Sequence, residues 1–181
     1  MKPIWYVVII VGLLVLYLII NRFINVNKEK LLYEEIALIA KNNNFLISKK
    51  TKEKYDFVLS DNTYDIYLKI CKIPKNSSVT INSRETWCLR WGGKRVGRNY
   101  PNQRYLNELE PFLKWNITSE EKTIIKVVVF YPGCEVILKY LNESEIDTVH
   151  PYTISYGYKA IKYQELETNF LDLLETNKKR K

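Results

Sequence analysis

Ile4-Trp5-Tyr6-Val7-Val8-Ile9-Ile10-Val11-Gly12-Leu13-Leu14-Val15-Leu16-Tyr17-Leu18-Ile19-Ile20 carries no charged side chain, and its reading decides how the rest of the chain is organised. A helix rises about 1.5 Å per residue, so this run, lengthened by Phe23 and Ile24, reaches about 26–31 Å, the hydrocarbon thickness of a bilayer. It reads as a spanning helix. A secretory signal would need a basic start, a shorter apolar stretch and a small-residue cleavage site. Here the run ends Ile19-Ile20-Asn21-Arg22-Phe23 without such a site, so the sequence predicts an uncleaved, single-pass anchor. Trp5 and Tyr6 suit a headgroup region, where amphipathic rings collect. Lys2 stands outside one end, while Arg22, Lys28 and Lys30 follow the other, with Lys41 beyond. That bias predicts a cell-membrane protein whose C-terminal domain faces the cytoplasm.

Working outward, residues 1–27 read as the anchor, 28–176 as one soluble domain and 177–181 as a basic tail. The domain has the usual size of a single folding unit. Residues 28–43 carry Leu31, Leu32, Ile36, Ile39 and Ala40 at three- and four-residue steps, an amphipathic helix ended by Asn42-Asn43-Asn44. Two strands follow at 55–60 and 64–73, joined through Asp61-Asn62-Thr63, whose short polar side chains suit a hairpin turn. Residues 78–81 and 86–91 read as a further strand pair or one long bent strand, closed by Gly92-Gly93. A helix is predicted over 102–115, with Leu106, Leu109, Phe112 and Leu113 on one face and Pro111 set to kink it. The apolar run 124–130, the turn Tyr131-Pro132-Gly133 and residues 135–141 read as a hairpin. Residues 146–150, residues 158–162 and a closing helix at 163–175 finish the domain. The expected fold is therefore an N-terminal transmembrane helix plus one α+β (mixed α/β) domain with a central sheet.

The chain has 28 Lys+Arg against 20 Asp+Glu, a net charge of +8, and such a field attracts anions. Cys71, Cys88 and Cys134 are odd in number and lack the paired spacings of a disulfide framework or a zinc site. No P-loop, dinucleotide-binding glycine pattern or serine nucleophile elbow is present, and His150 is the only histidine, which argues against triad or histidine–metal chemistry. No resident metal or cofactor is expected from these residues.

Arg84, Arg90, Lys94, Arg95, Arg98 and Arg104 are interleaved with Trp87, Trp91 and Tyr100. Guanidinium groups fork onto phosphate and aromatic faces stack on bases, so this stretch is either a solvated loop with no specific partner or a contact for an anionic lipid headgroup or nucleic acid. Arg90, Lys94, Arg95 and Arg98 are the expected anion contacts. Tethering favours lipid, because a domain that begins just past the bilayer meets headgroups constantly. A third reading makes the chain a subunit of a membrane complex whose partner covers Trp87, Trp91 and Trp115.

One arrangement resembles an enzyme family. An acidic helix (Glu34, Glu35), the strand opening Tyr55-Asp56-Phe57-Val58-Leu59, a hairpin, and Asp65-Ile66-Tyr67-Leu68-Lys69-Ile70-Cys71-Lys72 resemble the PD-(D/E)xK nuclease fold, especially its nuclease-related-domain branch, over about residues 28 to 140. The resemblance implies a divalent metal held by a helix Glu (Glu35 or Glu34) and by Asp56, with water activated beside it. The pattern departs at the next strand: the second acidic position falls on Lys69 and the lysine position on Cys71. A cation there repels a metal and a thiol cannot replace the lysine. The sequence thus predicts a binding or scaffolding domain on a catalytically degenerate nuclease-like fold, with a metal-dependent nuclease using Asp56 and Glu35 as the alternative.

Overall fold

The computed structural model describes residues 3–49, 54–92, 101–142 and 145–175, and the chain divides into two units, Met1–Asn43 and Asn44–Lys181. The first is a single helix, α1 (Pro3–Asn42). The apolar run and the amphipathic stretch behind it merge without a break, so position 27/28, the expected junction, lies inside the helix. Tyr6 and all the side chains from Val8 to Ile24 are exposed, and this is the one helix among the described residues long and apolar enough to cross a membrane. Farther along, Leu32, Ile36, Ile39 and Ala40 are buried as the spacing predicts. Asn43 and Asn44 end the helix: the Asn43 side-chain amide donates to the Ile39 carbonyl at 2.8 Å, and Asn44 takes a left-handed φ of 63°, a common way to close a helix.

The second unit is built on two five-stranded sheets, where the sequence reading expected one. Its strands are β1 (Leu46–Lys49), β2 (Phe57–Ser60), β3 (Tyr64–Lys72), β4 (Ser77–Ile81), β5 (Trp87–Trp91), β6 (Asn102–Tyr105), β7 (Thr123–Tyr131), β8 (Val136–Asn142), β9 (Glu145–Thr148) and β10 (Lys159–Lys162). Sheet A has the order β1-β2-β3-β7-β10, and sheet B the order β6-β5-β4-β8-β9. The β2–β3 hairpin forms as expected. The Asp61 carboxylate accepts the backbone N–H groups of Thr63 (2.7 Å) and Tyr64 (2.5 Å), fixing the turn from within.

β7 lies parallel to β3 over nine residue pairs and parallel to β10 on its other side. A central parallel strand is covered on both faces, which is why residues 124–130 are apolar almost without alternation. Those two neighbours also correct the expected hairpin. Both edges of β7 are already paired, so the chain turns through Tyr131-Pro132-Gly133 and crosses to sheet B, where β8 pairs with β4 and β9. Gly133 has a φ of 138°, and a Cβ there would collide with the Gln164 amide.

The expected helix over 102–115 is also corrected. Asn102–Tyr105 is strand β6, paired with β5; a 3₁₀ turn at Asn107–Leu109 and the short helix α2 (Glu110–Leu113) follow. Leu106, Leu109, Phe112 and Leu113 are buried as their spacing predicts, and Pro111 sits in the first turn of α2, where its missing N–H costs nothing. In place of a closing helix, 163–175 forms 3₁₀ turns at Tyr163–Glu165 and Leu171–Leu173, yet Leu166, Phe170 and Leu173 are buried at helical spacing.

The main core lies between one face of sheet A (Cys71, Val128, Phe130, Ala160), the facing side of sheet B (Val79, Ile81, Trp87, Leu89, Ile137) and α2. The opposite face of sheet A carries Phe57, Leu59, Ile66, Leu68, Val127 and Val129, also buried. A buried lysine stands on each face of sheet A. On the core face the Lys126 ammonium donates to the carbonyls of Phe112 (2.6 Å) and Trp115 (2.7 Å), and the Tyr158 hydroxyl donates to the Leu113 carbonyl. Together they bond carbonyls at the C-terminal end of α2 and just beyond it, where the Phe112 carbonyl also accepts the Trp115 N–H at 3.4 Å. On the other face Lys159 does the same for Asp172 (3.1 Å) and Glu175 (2.7 Å) at the C-terminal turns.

Candidate functional site

The outer face of sheet B is built by strand register. Arg90 on β5 stands opposite Ser78 on β4 and Gln103 on β6, and Cys88 stands opposite Thr80 and Tyr105. Residues directly opposite in antiparallel strands share a face, so Arg90, Ser78, Gln103, Cys88, Thr80 and Tyr105 form one patch. Ser78, Thr80 and Cys88 are buried, Arg90 is half-buried, and Gln103 and Tyr105 are exposed. The Arg90 Nε is shielded from solvent and has no hydrogen-bond partner. A buried donor left unpaired costs about 1–3 kcal/mol, so an acceptor that reached it would be bound with that much to recover.

Two other arginines of the basic stretch, Arg104 and Arg84, are already engaged. Arg104 forms a forked pair with Glu108 (2.7 and 2.9 Å), and that hydrogen bond holds the Glu108 carboxyl below its ordinary pKa. Arg84 reaches Asn116 Oδ1 (3.1 Å) and the Tyr158 hydroxyl (3.5 Å). Lys94, Arg95 and Arg98, three of the four expected anion contacts, lie outside the described residues. Trp87 packs in the core against Phe130 and Tyr158, so a partner is not needed to cover it; Trp91 and Trp115 are half-buried against the same core.

Asp56, the expected metal ligand, lies just before β2. Its Oδ2 accepts the Ile70 backbone N–H at 2.7 Å, and its Oδ1 pairs with the Lys69 ammonium at 3.3 Å. The carboxylate thus fastens the start of β2 to β3, and Lys69, on the strand where the nuclease pattern wants an acid, is its partner. Glu35 is exposed on α1, in the other unit. Asp65 is likewise engaged, with Ser60 Oγ (2.5 Å) and Lys122 (3.3 Å). Among the described residues no group of three His, Cys, Asp or Glu side chains could hold a metal ion.

Lys126 was not singled out by sequence reasoning, although it is the only charge between Ile124 and Phe130. Its ammonium lies 4.5 Å from the Tyr158 ring centre and 4.8 Å from that of Phe112. Burial, with smaller repulsion from Arg84 and Lys54, brings its pKa down to about 8. Beside it Tyr55 and Trp115 stack at 5.1 Å, with Tyr67 edge-on to both and Lys54 over Trp115 at 5.9 Å. Burial also pushes the thiols of Cys71 and Cys134 up to about 12, which makes them packing residues with no thiolate character at neutral pH. A cleft of about 180 Å³ lined by Glu85, Trp87, Tyr105 and Glu110 is smaller than ordinary ligand sites of about 300–1,000 Å³, and Lys114 already pairs with both of its carboxylates.

No family model, curated protein or solved structure matches the chain. The chemistry of the site therefore rests on its own residues.

Proposed function

We propose that the protein is a single-pass, membrane-anchored binding protein whose β domain stands on the cytoplasmic side and contacts anionic lipid headgroups. The contact strip begins at Arg90 on the outer face of sheet B and continues in the sequence into Lys94, Arg95 and Arg98. The observation that carries this reading is the Arg90 guanidinium: its Nε is buried without an acceptor, on a chain with a net charge of +8. Anchoring is supported by the exposed apolar length of α1, and the cytoplasmic side by the cations that follow it. A basic surface held beside an anionic leaflet gains about 1 kcal/mol for each cation near the membrane.

On this reading the nuclease-like arrangement around β2 and β3 is catalytically degenerate. A metal at Asp56 would have to displace Lys69, and Lys69 stands where the family pattern supplies a second carboxylate. The domain binds rather than hydrolyses.

The test uses the full chain inserted in phosphatidylcholine nanodiscs, offered separate vesicles with and without phosphatidylserine. Capture of the anionic vesicles should fall steeply as salt rises and should drop several-fold in Arg90→Glu. Equal capture of neutral vesicles, or capture unchanged in that variant, removes the headgroup reading. A labelled oligonucleotide that binds the same protein and displaces the vesicles makes nucleic acid the preferred anion.

A further inference from the structure

The α1 helix carries a second apolar face that the chain itself leaves open. Leu31 and Leu38 are 57% and 55% exposed, while Leu32 and Ile36, on the other side of the helix, are 6% and 0%. Leu31 and Leu38 are one heptad apart, within about 20° of each other around a helix of 3.6 residues per turn. The same seven-residue step runs back through Ile24, Tyr17 and Ile10, all exposed.

Lipid covers only part of this stripe. A helix of 40 residues is about 60 Å long, twice the hydrocarbon thickness of about 30 Å. Leu38 stands about 27 Å past Ile20, the end of the charge-free run, and Leu31 about 16 Å past it. Both leucines are therefore in water.

We infer that α1 pairs in parallel with α1 of a second copy of this chain through Leu31 and Leu38, an inference that rests on the proposed anchoring for its orientation. Two anchors in one bilayer enter it in the same sense, which brings identical residues side by side. With Leu31 and Leu38 at the a positions of the heptad, Lys30 occupies a g position and Glu35 an e position. In a parallel pair the g residue meets the e residue five places later on the other helix. Lys30 of each copy thus faces Glu35 of the other, twice by symmetry, and all four side chains are exposed. An antiparallel or unrelated partner has no such built-in match. Asn27 and Glu34 fall at the d positions, so the stripe is apolar at only one residue in seven. Glu34 is drawn to Lys30 of its own helix at 3.7 Å. The pairing is accordingly weak in isolation and depends on confinement of both copies to one membrane, which raises their effective concentration.

The test is oxidative cross-linking of the full chain in membranes, with one cysteine introduced at a time. Cys71, Cys88 and Cys134 are buried, so the introduced thiol reports alone. Leu31→Cys and Leu38→Cys should give a band at twice the chain's mass, at least five-fold stronger than Glu29→Cys, which points about 160° away. Lys30→Glu should weaken the Leu38→Cys cross-link, and adding Glu35→Lys should restore it. Equal cross-linking at residues 29, 31 and 38, a product of another mass, or no rescue by the charge reversal overturns the pairing. Carbonate washing of the same samples separates the two claims: chain in the pellet without the dimer band refutes pairing alone, whereas chain in the supernatant refutes the anchoring and the parallel pairing with it.

Discussion

Sheets A and B have five strands each, yet they use their faces differently. Sheet A is apolar on both, apart from the hydrogen-bonded lysines Lys126 and Lys159: Ile66, Leu68, Val127 and Val129 fill one side, and Cys71, Val128 and Phe130 the other. Sheet B gives Val79, Ile81, Trp87 and Leu89 to the core, while its other face carries Ser78, Thr80, Cys88 and Arg90, whose Nε has no hydrogen-bond partner. Burial on sheet A is accounted for by packing. On the outer face of sheet B the chain buries hydroxyls, a thiol and the Nε of a half-buried arginine, and that Nε lacks a hydrogen-bond partner. The contrast predicts that substitutions in sheet A change stability, and that those on the outer face of sheet B change binding.

The largest effect belongs to the sheet A core. Phe130→Ala removes a fully buried ring and should cost about 3–5 kcal/mol in chemical denaturation of the full chain in micelles. A cost below about 1 kcal/mol would break the division between the sheets. Asp56→Ala comes next. It strands the Ile70 N–H and the Lys69 ammonium, and should cost about 2 kcal/mol without altering any hydrolytic activity. A metal-dependent cleavage that disappears in this variant would instead restore the nuclease alternative.

Lys126 gives a smaller effect, legible through pH. Its folded pKa is about 8 against an ordinary 10.5, so below pH 8 it is protonated folded or unfolded and its buried charge opposes folding in full. Between about 8 and 10.5 the unfolded chain keeps a proton that the folded chain has released, and stability rises with pH. Cys71 and Cys134 act in the opposite sense above 9, because only the unfolded thiols ionise there. The clean quantity is therefore wild type minus Lys126→Met, which should climb by about 1–2 kcal/mol across that window. A flat difference would mean that the two carbonyls fully compensate the burial. The smallest effect on stability is at Arg90: Arg90→Met should leave the fold unchanged or stabilise it by up to about 1 kcal/mol while vesicle capture falls. Destabilisation there would show that the guanidinium serves sheet B and not a ligand.

What the sequence made legible was local. The charge-free run gave α1, and Asp61-Asn62-Thr63 gave the β2–β3 turn, because the signals lie within a few residues of what they determine. β6 was missed because Asn102, Gln103, Arg104 and Tyr105 carry no alternating apolar pattern; it is an exposed edge strand held by backbone pairing to β5. The second sheet was missed for a different reason. Whether β8 returns beside β7 depends on β3 and β10 having taken both of its edges, and β10 begins nearly thirty residues after β7 ends. The buried apolar face of residues 106–113 was read correctly, while the backbone beneath it, and the helix expected over 163–175, were not. A period near 3.6 fits a run of short 3₁₀ and α turns as well as one helix, and the capping by Lys126 and Lys159 comes from strands distant in sequence. Of the expected site residues, Arg90 keeps a shielded Nε without a hydrogen-bond partner. Asp56 has the environment of a strand clasp.

The central claim is that α1 spans a membrane and holds the β domain on its cytoplasmic side. Protease treatment of a C-terminally tagged chain in carbonate-washed inverted vesicles and in intact spheroplasts tests it directly. The account predicts a chain that stays in the membrane pellet, loses its tag in inverted vesicles and keeps it in spheroplasts. Release into the carbonate supernatant, or loss of the tag in spheroplasts with protection in inverted vesicles, would contradict it.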